Sequence, residues 1–198
     1  MFIIGLAGSV WFYFYFIDSW FWMGISAFLT FLYSAPKLPH KIAGYLQKIA
    51  VGKTIFLAMV WMYVTTALPI LIAAHLWRAQ EILFCISRFF LIYAICIVFD
   101  YRDREYDKQQ GIRSLITYLN GKGIDLLFYI SVLIFMLSTS SLYFFGFRPA
   151  IILLLLVPAI ILLLLYRTAK RNFSDYLYYV VLDGLMMFSA LFTSFLRI

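Results

Sequence analysis

Nine acidic residues occur in this chain, and four of them fall within eight positions: Asp100, Asp103, Glu105 and Asp107. On a helix advancing about 100° per residue, Asp100, Asp103 and Asp107 point within about 60° of one another, while Glu105 points away. Three carboxylates on one stripe repel unless a cation lies between them. Hard oxygen ligands suit magnesium, which keeps several of its waters and is usually shared with substrate phosphates. Arg102, Arg104, Lys108 and Arg113 stand close in sequence and bring positive charge suited to phosphate oxygens. The segment therefore has the parts of a magnesium–diphosphate site. The same residues also suit an ordinary solvated connection with Asp–Arg pairs, each worth little, and the spacing alone does not choose between the two. No glycine-rich phosphate loop of the Walker type is present, which argues against nucleotide chemistry.

Other polar residues are weighed against that motif. Arg88 falls inside an apolar run, where charge is expensive and often functional; it suits a cavity-facing contact to diphosphate or equally a pair with Glu81, seven residues back on the same face, or with Asp183. Asp183 lies within the last apolar run, as a buried partner for a basic residue or as a cavity-lining group. Asp125 and Asp175 stand at the expected starts of helices, where an acidic side chain caps free amides. Lys37 and Lys41 are placed on the same side as the acidic motif, which suits phosphate binding and membrane orientation nearly equally. His40 and His75 are isolated and have no metal-ligand spacing. Cys85 and Cys96 lie about 16 Å apart on one helix, too far for a disulfide, and read as small buried residues.

The elements that must position these groups follow from composition. The chain has 198 residues, 65% hydrophobic and 13% charged, and no soluble interior of this size holds so much apolar surface. A bilayer does. Seven continuous apolar runs, roughly 1–17, 19–35, 54–76, 81–99, 123–146, 149–166 and 175–196, each approach the ~20 residues a helix needs to cross hydrocarbon. Continuous rather than alternating apolarity predicts helices, not barrel strands. Pro69 and Pro158 are expected to kink two of them. The expected architecture is one all-α transmembrane bundle over residues 1–198.

The net charge of +7 does not imply nucleic acid, because the basic residues sit between apolar runs rather than on a soluble face. Twelve of the sixteen Lys and Arg fall in 36–53, 100–122 and 167–174. By the positive-inside rule these connections, the acidic motif included, are expected to face the cytoplasm, with the N-terminus inside and the C-terminus outside. The chain opens on Met-Phe-Ile-Ile without a basic leader or cleavage site, so no signal peptide is expected.

The run Asp100-x-x-Asp103-x-x-x-Asp107-x-x-x-Gly111-x-x-Ser114-Leu115 resembles the second aspartate-rich motif of the UbiA superfamily of intramembrane prenyltransferases. Upstream, Leu32-Tyr33-Ser34-Ala35-Pro36-Lys37-Leu38 resembles the Tyr-Ser-Ala-Pro stretch that ends the family's fourth helix. Ser174-Asp175-Tyr176 through Asp183-Gly184 resembles the start of the last helix in some bacterial members. Order and spacing agree with helices three to nine of the nine-helix fold. The family's first aspartate-rich motif, Asn-Asp-x-x-Asp-x-x-x-Asp, has no match here, so the resemblance is to a truncated or divergent member. It implies that Asp100, Asp103 and Asp107 hold Mg2+ and are the catalytic motif. Arg104, Lys108, Arg113 and Lys37 would bind the diphosphate of an isoprenoid donor, and an aromatic or other lipophilic acceptor would receive the chain. The missing motif leaves a second expectation beside the first: a non-catalytic membrane scaffold of the same family.

Overall fold

The computed structural model describes residues 17–34, 53–73, 77–109 and 114–187. Helix is the only regular secondary structure among them. In chain order they form α1 (Trp20–Ser34), α2 (Lys53–Met62), α3 (Leu68–Ile72), α4 (Ala79–Gln109), α5 (Leu115–Tyr118), α6 (Gly121–Ser141) and α7 (Pro149–Ala169). A π-helical turn, Tyr63–Ala67, joins α2 to α3, a 3-10 turn, Leu142–Phe145, extends α6, and a second π-helical segment covers Leu177–Leu182.

Four helical stretches are long and apolar enough to cross a membrane: Thr54–Ile72, Ala79–Gln109, Gly121–Phe145 and Pro149–Ala169. They coincide with the expected third to sixth runs. The second and seventh are shorter apolar helices, Trp20–Leu32 and Leu177–Met187. The first run, apart from Ile17, lies outside the described residues. Helix is the physical outcome because hydrocarbon offers no partner for a backbone amide, so each must pair within its own segment. Hydroxyls follow the same rule: Thr65, Ser131, Ser138 and Ser141 each donate to the carbonyl four residues back, at 2.7–2.8 Å.

Helix boundaries have local causes. Asn120 caps α6 by accepting from the Gly123 amide at 2.7 Å, and a Ser114–Thr117 capping box starts α5. Pro149 opens α7, where its missing N–H costs nothing. Gly146 adopts φ +86° between α6 and α7, a conformation that strains any residue with a Cβ. Pro69 is the second residue of α3, just past the π turn, whereas Pro158 lies inside a helix that continues through it.

The longest helix, α4, is the centre of the bundle. Of its most apolar window 61% is buried, against 28–39% in the other three spans. It packs chiefly on α6 and α2. Small residues at the contacts, Ala58, Ala94 and Ala159, are fully buried and permit close approach. Outward-facing Phe144, Leu164 and Leu153 are 67–84% exposed, an arrangement suited to lipid contact.

One polar contact joins α4 to α6 in the interior: the Ser87 and Thr139 hydroxyls lie 2.6 Å apart. Interhelical hydrogen bonds of this kind average about 0.6 kcal/mol. A double-mutant cycle of Ser87→Ala and Thr139→Val, read by unfolding in detergent, is expected to return a coupling near that value and below about 2 kcal/mol.

Candidate functional site

Because α4 runs unbroken to Gln109, it carries all three motif aspartates past the end of its apolar stretch. They span about 10 Å along the axis. Asp100 and Asp107 are buried. The Asp100 carboxylate accepts a hydrogen bond from the Thr54 hydroxyl at the start of α2, so α2 covers the motif from one side. Asp103 is half-exposed and accepts from Arg102 Nε at 2.9 Å.

Arg102 is itself fixed. Its guanidinium lies 4.6 Å from the Tyr178 ring centre and 5.0 Å from that of Tyr179, and it donates to the Tyr179 hydroxyl at 3.1 Å. Both tyrosines come from the π-helical segment, and Tyr178 is anchored by donating to the Ala169 carbonyl at 2.9 Å. Arg102 therefore aligns Asp103 while the last apolar helix holds Arg102.

The expected diphosphate-binding residues divide three ways. Arg104 donates to the carbonyls of Ile116 at 3.1 Å and Leu119 at 2.6 Å, stapling α5 to α4. Lys108 pairs with Glu105 at 3.2 Å on the surface. Arg113 and Lys37 lie outside the described residues, as do Gly111, Lys41, His40, His75 and the Ala35–Leu38 part of the Tyr-Ser-Ala-Pro stretch.

No three acidic, histidine or cysteine side chains among the described residues come together as a metal-holding group. Magnesium does not require one: it is commonly held by one or two carboxylates and completes its shell with water and substrate phosphates. Asp100 and Asp107 are buried but stand about 10 Å apart along the axis, too far to ligate one ion together, so each offers at most one carboxylate to an ion completed by water and phosphate.

The seam between α2 and α4 is polar at one end and apolar at the other. At the other end, about 15 Å along α4 from Asp100, lies an apolar pocket of about 280 Å³ lined by residues including Met62, Ala67, Ile82, Cys85 and Phe89. Ile82, Cys85 and Phe89 precede Asp100, Asp103 and Asp107 by 18 residues each, which is five full turns. Cavity and carboxylates thus share one face of α4, with Phe89 stacked on Tyr93 at 5.8 Å between them.

Two polar residues behave differently from expectation. Asp125 does not cap α6, because Asn120 does; instead it accepts from Tyr166 at 2.5 Å and from Lys170 at 2.6 Å, locking α6 to α7. Among the described residues Arg88 pairs with neither Glu81 nor Asp183. Glu81 accepts from the Arg78 amide at 2.9 Å and from Gln80, and Asp183 is exposed. Cys85 and Cys96 are buried free thiols, as their spacing requires. Thr54, Tyr178 and Tyr179 were not legible as site residues: nothing in their spacing marks them, and only the antiparallel packing of α2 and the second π-helical segment, Leu177–Leu182, bring them to the motif.

Compared with protein-family models, curated proteins and solved structures, the chain matches none.

Proposed function

We propose that this chain is a magnesium-dependent intramembrane prenyltransferase of UbiA type, located in the cell membrane with its acidic end toward the cytoplasm. The observation that carries this reading is the α2–α4 seam, where an apolar cavity and a buried carboxylate stripe occupy one face of one helix. That combination suits an amphiphile with an isoprenoid tail and a diphosphate head. Asp100 and Asp107 would each offer one carboxylate to magnesium, with Asp103 aligned by Arg102 at the rim. Bound there, magnesium supplies positive charge to the departing diphosphate. The chain's part is to seat the tail against Phe89 and Cys85, to keep water from the seam, and to fix the head at the carboxylates. The allylic C–O bond breaks with its electron pair leaving on the diphosphate; the acceptor forms the new bond and releases a proton. The sequence resemblance of the Asp100–Leu115 run supports the same assignment.

A second reading, a non-catalytic membrane scaffold, draws support from Arg104 bonding to the Ile116 and Leu119 carbonyls and Lys108 pairing with Glu105 on the surface. One experiment separates them. The purified chain in detergent is titrated with labelled geranylgeranyl diphosphate, with magnesium and with EDTA, and diphosphate release is followed over a panel of phenolic acceptors. Magnesium-dependent binding with release is the expected result. Binding without release on any acceptor favours the scaffold, and binding indifferent to magnesium removes the transferase reading.

A further inference from the structure

Arg88 is 5% exposed and sits nine residues into the central helix. Its Nη1 is buried without a hydrogen-bond partner among the described residues. Its guanidinium carbon lies 4.9 Å from the centre of the Phe84 ring. A cation at this depth is normally neutralised by a carboxylate or by backbone carbonyls.

Among the described residues no acidic side chain pairs with Arg88. All nine acidic residues lie within the described segments, and the stretches 1–16, 35–52, 74–76, 110–113 and 188–198 contain neither Asp nor Glu. The ion pairs formed among the described residues join Arg102 to Asp103, Arg104 and Lys108 to Glu105, and Lys170 to Asp125. Glu81, about two turns nearer the helix start, is held by the Arg78 amide and Gln80. Asp100, the nearest motif residue, is about 18 Å away along the axis.

We propose that Arg88 is the receptor for the head group of a lipophilic carboxylate. Charge matching selects the ligand class. One guanidinium balances one carboxylate, whereas a phosphate dianion would leave net negative charge in the interior. The planar fork of arginine matches a carboxylate through two parallel hydrogen bonds. Side chains on a helix lean toward its N-terminus, which agrees with the guanidinium lying over Phe84 one turn earlier, and that half-buried ring forms an apolar wall for the carbon next to the carboxylate. Arg88 follows Ile82 by six residues, so it faces away from the α2–α4 cavity. The site is therefore separate from the seam assigned to the isoprenoid.

The test is equilibrium binding of tritiated oleate to the purified chain in detergent with EDTA present, so that its outcome does not depend on the transferase reading. Saturable binding is expected, unaffected by oleyl alcohol. Competition by 4-octylbenzoate would assign the site to carboxylates generally, and its failure would assign it to fatty acids. Arg88→Gln is expected to weaken oleate at least tenfold, with Arg88→Lys falling between the two because it keeps charge and loses the fork. Oleate binding by Arg88→Gln within twofold of the native chain, no saturable binding, or stronger binding of dodecyl phosphate than of oleate would overturn the proposal. Should Arg88→Gln fail to fold, the native chain decides. A concentration-dependent rise in its melting temperature with oleate, not reproduced by oleyl alcohol, supports the site, and no rise overturns it.

Discussion

Asp100→Asn is expected to lower magnesium-dependent binding of geranylgeranyl diphosphate by at least a hundredfold while leaving the fold intact. The reason lies in what the substitution keeps. Asp100 is buried and accepts from Thr54 across the α2–α4 seam; asparagine is nearly isosteric and its carbonyl still accepts that bond. The negative charge alone is lost, and with it an anionic ligand for a hard cation. A hundredfold loss corresponds to about 2.7 kcal/mol. Thr54→Val removes only the group that orients the carboxylate, and outer partners of metal ligands typically contribute about 10–100-fold, so an intermediate loss is expected. Asp103→Ala should fall below Asp100→Asn, because Asp103 is half-exposed and already paired with Arg102. Isothermal titration with and without magnesium, beside melting curves for each variant, checks the order. Native-like binding by Asp100→Asn would sink the assignment of this carboxylate to the metal.

How much of this was legible beforehand differs by residue. The spans were readable because apolar length is a one-dimensional property: a run such as 149–166 can do little in hydrocarbon except form α7. The stripe of Asp100, Asp103 and Asp107 was readable because helical phase follows from spacing once the helix continues past Phe99, and it does. Partners were not readable. Arg104 reads as a phosphate ligand by position, and what the spacing does not show is that it also staples the carbonyls of Ile116 and Leu119, because those C-terminal carbonyls of a four-residue helix need a donor. Asp125 looked like a cap by nearness to a helix start, but Asn120 stands one turn earlier with better geometry, and Asp125 is left to reach α7. The phase match between Ile82, Cys85 and Phe89 and the three aspartates was present in the sequence at a constant 18-residue offset. It acquired meaning only once α2 was seen to leave a cavity on that face.

The largest stability effect is expected at Phe128, and the argument concerns what holds a membrane bundle together. Lipid tails are as apolar as a helix surface, so burying phenylalanine against a neighbouring helix gains little from dehydration; packing and polar contacts supply the association. Phe128 on α6 is fully buried and lies 3.7 Å from Tyr166 of α7, the rings within 5° of parallel. That stack aims the Tyr166 hydroxyl at Asp125, whose same oxygen takes Lys170 at 2.6 Å. Lys170 in turn lies 4.9 Å from the ring centre of Tyr101 on α4. One side chain therefore supports a joint of three helices at the end of the bundle that bears the acidic motif. Phe128→Ala opens a cavity and is expected to cost about 3–5 kcal/mol, while Phe128→Leu, which refills most of the volume, should cost about 1 kcal/mol. Because the stack positions the hydrogen bond, Phe128→Ala and Asp125→Ala should not add: once the ring is gone, removing the carboxylate should cost less than it does alone. Reversible unfolding in mixed detergent measures the three single variants and the Phe128→Ala/Asp125→Ala double. Strict additivity would mean that the stack and the ion pair hold α6 to α7 independently, and a cost below about 1 kcal/mol for Phe128→Ala would mean that the joint is set elsewhere in the bundle.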